Sequence, residues 1–156
     1  MIEVYHRTVG RNCLLMLDLA PDQRGLIPTD HAIRYKELGD FIRSCYGNSV
    51  SPTRRLTFDD SALHVLQFDT PITVDRSVIQ EDQTQGQVIR AYVVQAQIVN
   101  GTNSTDWTTV ANGTSVGNKK IDLWQSGPLI VNAVRLNITQ SVDTPVIKAF
   151  TVHLCS

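Results

Sequence analysis

From Leu63 onward the sequence keeps returning to a period of two, and the clearest case is the stretch from Ser77 to Ala96. Val78 and Ile79 close an apolar run. Gln80 to Gln87 is polar, with Gly86 able to turn the backbone. Tyr92, Val94, Ala96 and Ile98 then fall on one face, opposite Ala91, Val93, Gln95 and Gln97. One apolar face and one mixed face suit a strand in a two-layer sandwich, because side chains alternate across a sheet. Strands are expected near residues 63–68, 72–80, 88–98, 108–111, 119–124, 130–139 and 146–154. In the sixth, Val134, Leu136 and Ile138 oppose Arg135, Asn137 and Thr139, which directs Asn137 to solvent. In the seventh, Phe150, Val152 and Leu154 share a face. Short strands separated by frequent polar turns make the fold mainly β, a β-sandwich or jelly roll.

The first 46 residues have a different texture. Residues 2–7 suit the end of a longer helix, broken by Gly10. The continuous apolar run Cys13-Leu-Leu-Met-Leu17 suits a strand buried on both faces of a parallel sheet, with Cys13 a buried thiol. A turn with Pro21, Asp22, Gly25 and Pro28 follows, and Thr29 or Asp30 is placed to cap a helix. Tyr35, Leu38, Ile42 and Cys45 keep the spacing of one helical stripe, with Arg34, Lys36, Glu37, Asp40 and Arg43 between them. Residues 1–46 thus read as a strand-loop-helix unit and residues 51–156 as the sandwich, with a Gly/Ser/Pro-rich linker at 47–52. A lone strand without neighbours has open edges, so this unit is expected to dock loosely and residues 51–156 to fold alone.

Charge excludes some functions. Fourteen basic and fifteen acidic residues leave a net charge of -1 with no basic cluster, which argues against nucleic acid as a partner. The apolar run through Leu17 is broken by Asp18 and is too short to span a bilayer. The first residues lack the charged start and apolar block of a signal peptide, which points to a true N-terminus elsewhere. Four N-x-Ser/Thr sequons, at Asn100, Asn103, Asn112 and Asn137, nevertheless set an expectation of a secreted or lysosomal protein. Three cysteines permit one internal disulfide in any of three pairings, and Cys45 with Cys155 is the first to test.

Two groups of residues resemble one family. Val9 to Ile27, with Lys36-Glu-Leu-Gly-Asp-Phe-Ile42, resembles the last strand, loop and helix of the catalytic barrel of an alpha-L-fucosidase of glycoside hydrolase family 29. Val78 to Val88, with Ala111-Asn-Gly-Thr-Ser-Val-Gly-Asn-Lys119, resembles the sandwich that follows the barrel in plant and bacterial members. That sandwich is similar to discoidin or coagulation-factor type C modules, a galactose-binding-like fold. The resemblance implies a (β/α)-barrel terminus followed by this sandwich, and retaining hydrolysis of terminal L-fucose from glycans by the whole enzyme. It implies a fucosylated glycan as ligand and a possible partner chain supplying the rest of the barrel. The family usually has Asn where this chain has Asp18, and often Pro where it has Ala20. The family's catalytic nucleophile and acid/base lie on earlier barrel parts that have no counterpart in this sequence, so the chain is expected to be inactive by itself. The alternative is a stand-alone discoidin-like module that binds carbohydrate or protein.

Candidate site residues follow from these readings. Asp18, and Asp22 with Arg24 and Gly25, could line the sugar end of a barrel, although Asp22 also suits a plain turn. Trp107 and Trp124 could stack on a pyranose ring or pack in the sandwich. Glu81, Asp82 and Gln85 could bind sugar or form a packed turn. Arg90 and Arg135 read as outer-face charges. His6, His31, His64 and His153 show no metal-ligand spacing, and the segment between Gly47 and Leu63 lacks a calcium-type loop, so no metal and no cofactor are expected.

Overall fold

The architecture comes from a computed structural model, which describes residues 1–48, 63–99 and 106–155. Two helices, α1 (Ile2–Arg7) and α2 (Thr29–Tyr46), precede seven strands. These are β1 (Leu63–Val74), β2 (Arg76–Glu81), β3 (Ile89–Ile98), β4 (Thr108–Gly113), β5 (Lys120–Leu123), β6 (Leu129–Ser141) and β7 (Ile147–His153). They form two antiparallel sheets, one of four strands in the order β1-β6-β3-β4 and one of three in the order β5-β2-β7. The fold is therefore mainly β, as the alternation implies.

The core lies between the sheets. Tyr92, Val94 and Ala96 of β3 and Val134, Leu136 and Ile138 of β6 meet Ile79, Phe150 and Val152 from the other sheet. Asn137 faces outward, as its register requires. The outer face of the three-stranded sheet is covered too: Val78 and Ile121 pack against Tyr5 of α1 and Leu38 of α2, with Ile42 and Tyr46 alongside. The stripe on α2 faces the sheet, while Arg34–Glu37 and Lys36–Asp40 pairs line its exposed side.

Several expectations are corrected. The predicted break between residues 68 and 72 is an irregularity inside β1, where Gln67 pairs with Ala133 and Ile72 with Val131. Pro71, which cannot donate to a ladder, sits in this bulge. The true break is at Asp75, where the chain leaves the four-stranded sheet for the three-stranded one. The N-cap of α2 is Pro28, without a side-chain capping bond, so neither Thr29 nor Asp30 serves as the cap.

Cys13 to Leu17 form no strand. Leu14 and Met16 are each 84% exposed, Leu15 and Leu17 rest against the helix–sheet cluster, and Cys13 is an exposed thiol rather than a buried one. A flat apolar strand needs strands on both sides, and the described residues supply none.

The expected loose docking is also corrected. Cys45 and Cys155 form a disulfide that ties α2 to the C-terminal segment. Arg11 bridges to Lys120, and backbone bonds join Ile121 to Gly10 and Asn12 to Lys119. Asn12 also accepts the Asn118 N–H at 2.7 Å. A Cβ on Gly117, whose φ is +68°, would meet the Asn12 amide at 2.3 Å, so only glycine lets this segment lie against the β5 edge.

Candidate functional site

The two carboxylates expected at a barrel rim have different fates. Asp22 closes its own turn: Oδ1 accepts the N–H of Arg24 at 2.9 Å and of Leu26 at 3.0 Å, and Oδ2 binds the Arg24 guanidinium at 2.8 Å. The Leu26 amide, followed by the Arg24 guanidinium, holds this carboxyl below the usual carboxylate range. Both oxygens are engaged inside the turn, which favours the structural reading. Asp18 is exposed and its carbonyl accepts the Tyr35 hydroxyl. With His31, Arg34 and Tyr35 it lines an open hollow of about 380 Å³.

The tryptophans also separate. Trp124 is only 4% exposed, lies in the sandwich core and points its indole N–H at the Ser77 hydroxyl, 3.5 Å away. Buried there, it packs in the sandwich and is not placed to stack on a sugar. Trp107 is half-buried, with the Arg135 guanidinium 4.3 Å from its ring centre. Arg135 donates onward to Gln95 Oε1 at 2.8 Å. Trp107, Arg135 and Gln95 therefore form a polar-aromatic platform on the outside of the four-stranded sheet, a surface suited to hydroxyl-rich ligands. Asn112 and Asn137 both pair with Val93, one strand to either side of it, so the two sequon asparagines sit in one row across that sheet. Asn100 and Asn103 lie outside the described residues.

Glu81 is not a sugar ligand. It is 2% exposed, and Oε1 accepts the N–H groups of Val88 at 2.7 Å and Ile89 at 3.0 Å, while Oε2 accepts that of Gly117 at 2.9 Å. It latches the crossing from β2 to β3 onto the loop before β5. Asp82 accepts the Thr84 N–H in the same turn, and Gln85 is exposed.

Sequence reasoning missed two buried polar groups. At the foot of α2, Asp75 holds Arg76 through two bonds of 2.8 and 2.6 Å, and Arg76 reaches the Tyr46 hydroxyl at 3.3 Å, which meets His6 Nε2 at 2.7 Å. Burial raises the Tyr46 hydroxyl pKa and lowers those of His6 and His153. The adjacent charges Asp75-Arg76 inside an apolar run were the available signal. In the second group, Tyr92 spans the core to donate to Asp122 Oδ2 at 2.8 Å, and burial raises both pKa values. Among the described residues no three His, Cys, Asp or Glu side chains gather to hold a metal ion, and no helix is long and apolar enough to cross a membrane.

Among the described residues the buried carboxylates Asp75, Glu81 and Asp122 are engaged by arginine, backbone and tyrosine, in an antiparallel two-sheet fold with helices over one outer face. Known proteins share this architecture. A Bacteroides thetaiotaomicron structure assigned as an alpha-L-fucosidase superposes on 99% of this chain with a TM-score of 0.87 and 32% identity, and the match covers 33% of that protein. Arabidopsis thaliana alpha-L-fucosidase 1 is 22% identical over 153 residues, which is 78% of this chain and 29% of the plant protein. A Ruminococcus gnavus family 29 fucosidase, solved with fucose, shares the fold with a TM-score of 0.83 at 16% identity, over 99% of this chain and 36% of that one. No protein-family model matches. The chain is thus similar end to end to part of several alpha-L-fucosidases, members of glycoside hydrolase family 29 among them, a coverage consistent with a C-terminal fragment. It spans about a third of the length of the relatives it matches.

Proposed function

We propose that this chain is the non-catalytic C-terminal part of an alpha-L-fucosidase that removes terminal L-fucose from glycans with retention, and that it is inactive without the remainder of the enzyme. The carrying observation is the end-to-end match to one third of a fucosidase, 99% of this chain at 32% identity. Retaining hydrolysis needs two carboxyl groups facing each other across a cleft, about 5–5.5 Å apart. The buried carboxylates described here are engaged elsewhere: Asp75 by Arg76, Glu81 by three amides, Asp122 by Tyr92.

The bare apolar side chains support the same reading. Leu14, Met16, Leu26, Ile27 and Ile33 are all exposed on the segment that resembles a barrel's last strand and helix. Several large apolar side chains left bare on one segment suit a face that another element covers, and we assign that cover to the rest of the barrel, on the same or a partner chain. In that assembly Asp18 would stand at the rim facing a fucosylated glycan, and the sequons would suit a secreted or lysosomal enzyme.

The test is hydrolysis of a chromogenic alpha-L-fucoside by purified residues 1–156, prepared free of host glycosidase. The expected result is no release above buffer. Turnover that disappears on substituting any residue of this chain would overturn the proposal.

A further inference from the structure

A second hollow, of about 570 Å³, opens between α1, the Arg11 bridge, β5 and the end of β4. Its charges do not balance. Arg11 and Lys120 are directly opposed across an antiparallel bridge, so their side chains leave the backbone on the same face. Like charges in that position repel and destabilise a sheet. The compensating carboxylate is Asp122, two residues along the same face of β5, but Lys120 Nζ stands 3.7 Å from its Oδ1 and its Oδ2 is taken by the Tyr92 hydroxyl. Lys120 is mostly buried, its side chain 20% exposed, so water screens it poorly. Arg11 makes no side-chain hydrogen bond or ion pair among the described residues. Arg7, at the rim, is neutralised by Glu3 at 2.7 Å. One carboxylate oxygen thus answers two cations in the wall of the hollow.

We propose that this hollow is a binding site for an oxyanion group, a sulfate, phosphate or carboxylate carried by a small polar ligand. Arg11 supplies a planar fork of donors and Lys120 a point charge. The ligand supplies the negative charge that the Arg11–Lys120 pair lacks. The site is separate from the Asp18 hollow and does not depend on the chain being part of a fucosidase.

Titration calorimetry on the full chain from a bacterial host, which leaves Asn112 bare, tests this with sulfate, phosphate and glucuronate, each against chloride at equal ionic strength. At least one should bind saturably at one site, and the one that binds identifies the oxyanion. Arg11→Gln, an exposed change that leaves folding intact, should weaken it about tenfold, as should Lys120→Gln. Asp122→Asn should tighten it several-fold, because the competing carboxylate is gone; a merely structural role for Asp122 would not do so. The proposal is overturned if no oxyanion exceeds chloride, or if Arg11→Gln leaves the affinity unchanged.

Discussion

Replacing Glu81 separates its two readings, ligand-binding residue and internal latch. Its carboxylate accepts three buried backbone N–H groups, those of Val88 and Ile89 where the chain enters β3 and that of Gly117. Glu81→Ala leaves all three without an acceptor. A buried donor stripped of its partner costs about 1–3 kcal/mol, so the sum is about 3–9 kcal/mol, nearer the lower end once water enters the gap. Domains of this size are stable by only about 5–15 kcal/mol, so this variant should be largely destabilised. Glu81→Gln is the sharper probe. Its amide oxygen can keep Val88 and Ile89, but its NH2 then faces the Gly117 N–H, donor against donor, for an expected loss of about 1–3 kcal/mol. Urea unfolding followed by the fluorescence of core Trp124 measures both. If Glu81→Gln unfolds within about 0.5 kcal/mol of the parent, a typical harmless surface change, the latch argument is wrong.

Two other predictions follow from the helix–sheet junction. Cys45 and Cys155 close a loop of 110 residues, so replacing both with serine should lower stability by about 4–5 kcal/mol on the chain-entropy model; thermal melts of the parent and the double variant, without reductant, measure it, and an unchanged Tm would refute it. Burial lowers the pKa of His153 below its ordinary value of 6.5. The unfolded chain therefore takes up protons first as pH falls through about 6.5, and stability should drop on acidification across that window; His153→Asn should flatten the dependence of Tm on pH between about 7.5 and 5.5, and an unchanged slope would refute the assignment.

Much of the sandwich was legible because it depends on local alternation. The faces of β3 and β6, the outward direction of Asn137 and the stripe on α2 follow from side-chain geometry within a few residues, whatever the partner strands are. The family resemblance was legible for a similar reason, since it rests on contiguous runs such as Val78 to Val88. The candidate sites were less so. Asp22 and Asp18 look alike in sequence, and only the amides of Arg24 and Leu26 distinguish a closed turn from an open rim. Trp107 and Trp124 differ by which face of which sheet they occupy, a question of register and not of composition.

By itself the sequence determined the strand faces, the helix stripe and the family resemblance, because each is encoded in neighbours along the chain. Only the tertiary structure decided the crossing at Asp75, the pairing of Cys45 with Cys155, the capture of Glu81 by Val88, Ile89 and Gly117, and the opposition of Arg11 to Lys120. Each of these joins residues distant in sequence or depends on which sheet receives a strand, and no local period reports that. Residues 13–17 show the same limit from the other side: their apolar run states a preference for burial between strands, but burial requires neighbours, and among the described residues Leu14 and Met16 have none to cover them.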